Sequence, residues 1–132
     1  KIKFIDAANT LEWRSLSADL TINIDSFQEM PPDTITTYMN DIVVNGRYFY
    51  VKNPTGKYRP ESIGIDTDNP SRFQDVFSLG LCREVMDLFN EASLEISRLK
   101  YLEAYRPKGG TLIADKPLNL FPYYHHALYR TA

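Results

Sequence analysis

Residues 69 to 105 read NPSRFQDVFSLGLCREVMDLFNEASLEISRLKYLEAY, a helical pattern with apolar residues on two faces. At about 100° per residue, Phe73, Phe77, Leu81, Val85, Leu88, Ala92, Ile96, Leu99 and Leu102 form one stripe, read as the core face. Val76, Leu94, Tyr101 and Tyr105 fall on roughly the opposite side, beside Arg83, Asp87 and Arg98. A helix with two apolar faces needs two partners. Asn69 is a good N-cap, and Pro70 suits the first helical position because its missing N–H would be unpaired there anyway. Asp66 and Asp68 lie just ahead, where the helix dipole favours negative charge. Pro107 stops the pattern, and Gly109 and Gly110 release the chain into a turn.

The expectation is therefore one long helix over about 70–105, with Gly80 as the place where it breaks if it breaks. Unbroken, it would span about 50 Å at ~1.5 Å per residue. A domain of this length is only roughly 35–40 Å across. Two readings stay open. In one, the C-terminal tail covers the second stripe; in the other, a second subunit does.

The 132 residues suit a single domain, 1–132, with a real core. A formal charge of −2 argues against general nucleic-acid binding. No apolar run reaches about 18 residues, so no membrane span is expected. The expected setting is soluble, intracellular or virion-associated, although a chain starting at Lys1 leaves room for a removed signal. Cys82 stands alone, which excludes an internal disulfide framework and points to an inert packed thiol.

Leu16, Ala18, Leu20, Ile22 and Ile24 alternate with Ser17, Asp19, Thr21, Asn23 and Asp25, the pattern of a half-buried strand over 16–25 with its apolar side inward. Residues 34–40 fit either a short helix or a strand. In residues 41–52, DIVVNGRYFYVK, two β-rich runs flank Asn45-Gly46, which predicts a hairpin with a type I′ turn. A long loop follows to residue 69. Residues 111–114 form a further short strand, and 117–130 close the chain as an aromatic tail with a short helix near Pro122. The fold class is α+β: a mainly antiparallel sheet with the Asn-Gly hairpin, packed against the long helix and the tail.

Four groups of residues bear on chemistry. Asp19 and Asp25 lie about 20 Å apart along a strand, too far to share a metal ion. Asp66-Thr67-Asp68-Asn69 starts like a calcium loop but has Ser71 where the glycine belongs and Phe77 where the final glutamate belongs, so capping explains it better. His125 and His126 are adjacent and point different ways, which disfavours joint chelation; either could serve as a general base beside a carboxylate. Lys52, Lys57 and Arg59, with Tyr48, Tyr50 and Tyr58 nearby, could grip a phosphate backbone, but Gly56-Lys57 lacks the rest of a P-loop. No metal or cofactor is expected and no residue is given a catalytic role.

The reading favoured by the sequence is a non-enzymatic interaction or structural subunit, homo-oligomeric or bound to a protein partner, in a larger viral or bacterial assembly. Its contact residues would be Leu94, Tyr101 and Tyr105 on the helix and Tyr123, Tyr124 and Tyr129 in the tail. The alternatives are a small hydrolase using a C-terminal histidine with a carboxylate, and a weak nucleic-acid binder through the 52–59 loop.

Overall fold

A computed structural model describes residues 2–6, 8–41, 43–65 and 71–132. Asp66, Asp68, Asn69 and Pro70, the expected approach and cap of the long helix, lie outside the described residues. The element order is α1 (Thr10–Arg14), β1 (Leu20–Ile24), α2 (Pro32–Asp41), β2 (Tyr48–Pro54), α3 (Ser71–Ser78), α4 (Glu91–Ala104), β3 (Thr111–Pro117) and β4 (Tyr124–Arg130), with short 3-10 turns at Phe27–Glu29, Val43–Asn45 and Pro60–Ile63. The strands form one mixed sheet in the order β1-β2-β4-β3. The α+β class holds; β2–β4 and β3–β4 are antiparallel and β1–β2 is parallel.

The parallel pair explains why the Asn-Gly hairpin is absent. Parallel neighbours need a crossover between them, and residues 25–47 are that crossover. Pro32 opens α2, which buries Ile35 and Met39 one turn apart. Asn45 ends a 3-10 turn, and its side chain donates to the Asp41 carbonyl at 2.8 Å. Gly46 has no positive φ, which a type I′ turn requires. Its role is close approach: a Cβ there would come within 2.9 Å of the Thr21 hydroxyl oxygen.

The long helix is two helices. Gly80 adopts φ +80, a left-handed conformation that ends the first segment, and its N–H donates to the Met30 carbonyl at 2.9 Å. Residues 79–90 are irregular. Asn90 then caps α4, its side-chain oxygen accepting from the N–H groups of Ala92 and Ser93 at 3.0 and 3.2 Å.

The faces of α4 are rotated from the expected ones. Leu102 of the expected core stripe is buried, but so are Tyr101 and Tyr105 of the second stripe. Ile96 and Leu99, placed on the core stripe, are each 54% exposed. The reason is aromatic volume. Tyr105 stacks on Phe27 with centroids 6.0 Å apart, Tyr101 meets Tyr105 at 4.9 Å, and Tyr129 of β4 stacks on Phe49 of β2 at 6.3 Å. Large rings cover more core area than aliphatic side chains, provided that their hydroxyls find partners.

They do. Tyr129 donates to the Leu102 carbonyl at 2.8 Å. The Tyr101 hydroxyl accepts from the Asn53 backbone N–H at 3.2 Å and donates to the His125 carbonyl at 3.0 Å. Asn53 and His125 face each other across β2 and β4. One helix side chain therefore joins the two central strands.

The expected helix in the tail is instead β4, with His125, Ala127 and Tyr129 buried in alternation. The strand expected over 16–25 is real only from Leu20 to Ile24, and it too is turned over. Leu20, Ile22 and Ile24 are 47%, 58% and 50% exposed, while Asn23 is buried. Register explains the inversion. Asn23 pairs with Val51, so it shares the core face, and its side-chain oxygen accepts from the Asn53 amide at 3.0 Å.

Tyr101→Phe tests the joint between helix and strands. It keeps the ring but removes a hydroxyl that bonds both central strands, whose Asn53 N–H and His125 carbonyl still face each other in the ladder, so it should lower unfolding free energy by about 0.5–1.5 kcal/mol. Urea denaturation measures this directly; a loss within ~0.5 kcal/mol of zero would show that the strands do not depend on the hydroxyl.

Candidate functional site

The two histidines sit on opposite faces of the sheet because they are neighbours on one strand. His125 points into the core and is 1% exposed. Its Nε2 lies 2.7 Å from Asp115 Oδ2 on β3. Arg98 of α4 donates to the same oxygen at 2.8 Å and grips Glu95 through two bonds of 2.8 and 2.7 Å. An ionised Asp115 only accepts, so Nε2 carries the proton that His125 shares with it. Burial raises the Asp115 carboxyl, but hydrogen bonds and charge from His125 and Arg98 outweigh this and bring it below its ordinary range. Burial also lowers the His125 pKa, against the pull of Asp115, so the ring is neutral at neutral pH.

This is the histidine–carboxylate pair that a hydrolase would need, and its burial argues against that use. Substrate would have to reach a ring that is covered on both sides by packing. Tyr101 lies edge-on to it, with centroids 5.9 Å apart. The chain Glu95–Arg98–Asp115–His125 ties α4 to β3 and β4.

The basic stretch does not gather into one patch. Arg59 is exposed, Lys57 is 6% exposed, and Lys52 lies on the sheet's outer face 3.6 Å from Asp25. Nor do the expected contact residues form one surface. Tyr101, Tyr105 and Tyr129 are core, and Leu94 is half-buried on α4. Tyr123 and Tyr124 are half-buried in an aromatic group with Tyr58 and Phe121, Tyr58 and Tyr123 lying 5.1 Å apart. Cys82 is partly packed, and burial pushes its thiol up to about 12, well away from a reactive thiolate. Among the described residues, no helix is long and apolar enough to cross a membrane.

The surface that sequence reasoning missed is the outer face of the sheet. The helices that form the core pack against the other side. Register sets the outer face in three rows. Ile22, Tyr50, Leu128 and Ala114 run across its middle. Ile24, Lys52, His126 and Lys116 border one end, and Leu20, Tyr48, Arg130 and Thr111 the other. The Tyr50 hydroxyl lies 2.5 Å from His126 Nδ1, fixing both rings. Burial first, then Lys52 and Lys116, lower the His126 pKa. The usable signal lay in the tail: Tyr124, His126 and Leu128 alternate with His125, Ala127 and Tyr129, which is strand periodicity.

No family model, curated protein or solved structure matches this chain.

The histidines make stability depend on pH with a defined sign. Both have a folded pKa below 6.5, so the unfolded chain takes up these protons first on acidification. Their contribution is complete above pH 6.5 and is lost as pH falls through the folded values. Melting temperature should therefore be lower at about pH 5.5 than at about pH 7.5. In an NMR titration the His125 ring should reach its midpoint below 6.5. A midpoint above 6.5 would mean that the Asp115 charge outweighs burial, and the sign would reverse.

Proposed function

We propose that the chain is a non-enzymatic interaction subunit that associates with copies of itself through the outer face of the sheet. The observation that carries this reading is an apolar sheet face left in water. Ile22, on the edge strand of its middle row, is 58% exposed, Tyr50 and Leu128 beside it on the central strands are half-buried, and the charged residues Lys52, Lys116 and Arg130 stand only in the two bordering rows. An apolar centre with a polar rim is the anatomy of a protein contact. Two such faces can stack about 10 Å apart, as the sheets of a sandwich do. The earlier candidates Tyr101, Tyr105 and Tyr129 act in this reading by holding the sheet together from behind.

The size of the face sets the strength expected. Four strands at about 4.8 Å and some six residues at about 3.3 Å give roughly 400 Å², half of the ~800 Å² per partner of a standard interface. Association should therefore be concentration-dependent. Light scattering should show a mass that rises above the monomer value with concentration. Ile22→Lys should stay monomeric with an unchanged far-UV circular dichroism spectrum, because the side chain it replaces is exposed. A wild-type chain that remains monomeric up to about 1 mM, the limit of weak binding at ~4 kcal/mol, defeats the reading.

A second reading rests on the charges of this face. Lys52, Lys116 and Arg130 are cationic, and Asp25 is engaged by Lys52. With Tyr48, Tyr50 and His126 they resemble a stacking platform for single-stranded nucleic acid. That reading predicts binding to an oligonucleotide that weakens steeply with salt, whereas stacking of apolar faces does not.

A further inference from the structure

Between the end of β2, the loop that follows it and α3 lies a cavity of about 300 Å³. Pro54, Ile65, Val76 and Phe77 give it apolar walls, and the rings of Tyr58 and Tyr124 add polar tips. Small-molecule sites begin at about 300 Å³, and an apolar cavity of roughly half that volume holds a benzene.

Lys57 also lines this cavity and is only 6% exposed. Its Nζ donates to the Gln28 carbonyl at 3.3 Å, and it forms no ion pair among the described residues. Glu29, the acidic residue among those lining the cavity, is exposed. Burial lowers the Lys57 pKa. A buried ammonium held by a neutral carbonyl is costly without a counter-charge.

The position of this lysine is fixed by backbone. Its N–H donates to the Glu84 carbonyl at 2.7 Å, and its carbonyl accepts from the Met86 N–H at 2.7 Å. This makes a parallel bridge to Val85. The strap fits because residue 56 is glycine: a Cβ there would lie 2.8 Å from both the Glu84 oxygen and Met86 Cγ. The chain thus holds a cation beside an apolar cavity with no direct ion pair among the described residues; Glu29, exposed at the cavity, reaches it only as a more distant charge.

We propose that this cavity binds a small apolar carboxylate, an aryl- or alkyl-alkanoate, with its carboxylate on the Lys57 ammonium and its hydrocarbon part between α3 and the two tyrosines. The anion completes the ion pair, and the walls take the apolar body. This site is separate from the sheet face and does not depend on it.

The test is a titration with 3-phenylpropanoate and with its neutral primary amide, followed by calorimetry and by amide chemical shifts of residues 54–58 and 74–77. The carboxylate should bind at least about tenfold more tightly than the amide. Lys57→Met should bring the carboxylate down to the affinity of the amide, with the far-UV spectrum retained. Val76→Trp, which fills the cavity from a half-exposed position, should abolish binding of both while Lys57 stays in place. Equal affinity for carboxylate and amide, no binding of the carboxylate at about 10 mM to folded protein, or undiminished binding to Val76→Trp would each overturn the proposal.

Discussion

The Tyr101 hydroxyl, set between the Asn53 N–H and the His125 carbonyl, is the contact on which the rest of the structure depends. β2 and β4 are the central strands, and everything else attaches to them. A helix side chain that bonds both strands fixes three things at once: the rotation of α4, its height along the sheet, and the spacing of the strands at that point. A ring with no partner for its oxygen could not sit there, since a buried hydroxyl without a hydrogen bond costs about 1–3 kcal/mol. The rotation of α4 that satisfies Tyr101 also turns Tyr105 onto Phe27 and leaves Ile96 and Leu99 in water.

That rotation places Arg98 above β3, where it meets Asp115, and Asp115 in turn meets His125. A second polar group lies near the other edge, where Asn53 reaches Asn23, and Asn23 donates to the Ser26 hydroxyl at 2.5 Å. The core is therefore flanked by polar groups joined by hydrogen bonds, with the Asn53 Oδ1 buried and unpartnered, and its middle is aromatic. Such groups specify one arrangement, because a shift by one residue would leave buried amides and a buried imidazole without partners. They also make the fold sensitive to acid, since burial disfavours the charged form of the imidazole at its centre more than Asp115 favours it.

Much of this was legible in the sequence, but not which side of each element faced inward. The strand at 20–24, the break at Gly80 and the α+β class follow from alternation, glycine and element order. The inversion of β1 does not. Its apolar side is a better core face than Thr21 and Asn23 by composition alone, and only the amide pairing with Asn53 shows why the poorer side is buried. For α4, counting aliphatic residues placed Leu102 correctly but also turned Ile96 and Leu99 inward, because it gave no weight to the two tyrosines that are buried instead. Asn45-Gly46 misled for a different reason. The pair suits a hairpin, but here it ends a crossover, and the glycine is required by the approach of Thr21. The His125–Asp115 pair joins two strands whose register no local pattern specifies.

The break at Gly80 has the widest consequence. In an unbroken helix, residues 84–86 would spend their backbone groups on helical bonds. Because the helix stops, the strap they form is free to bond Lys57 from both sides, and α3 is free to close over the loop after β2. The same break thus accounts for the burial of a lysine and for the cavity beside it. The outer sheet face arises by a complementary route: α2 and α4 both supply residues to the core face, so the opposite face keeps its water. The exposed Ile22 and the enclosed Lys57 thus reflect where the chain is placed: α2 and α4 supply the tyrosine-lined core on one face of the sheet, and the strap of residues 79–90 holds Lys57 at its cavity.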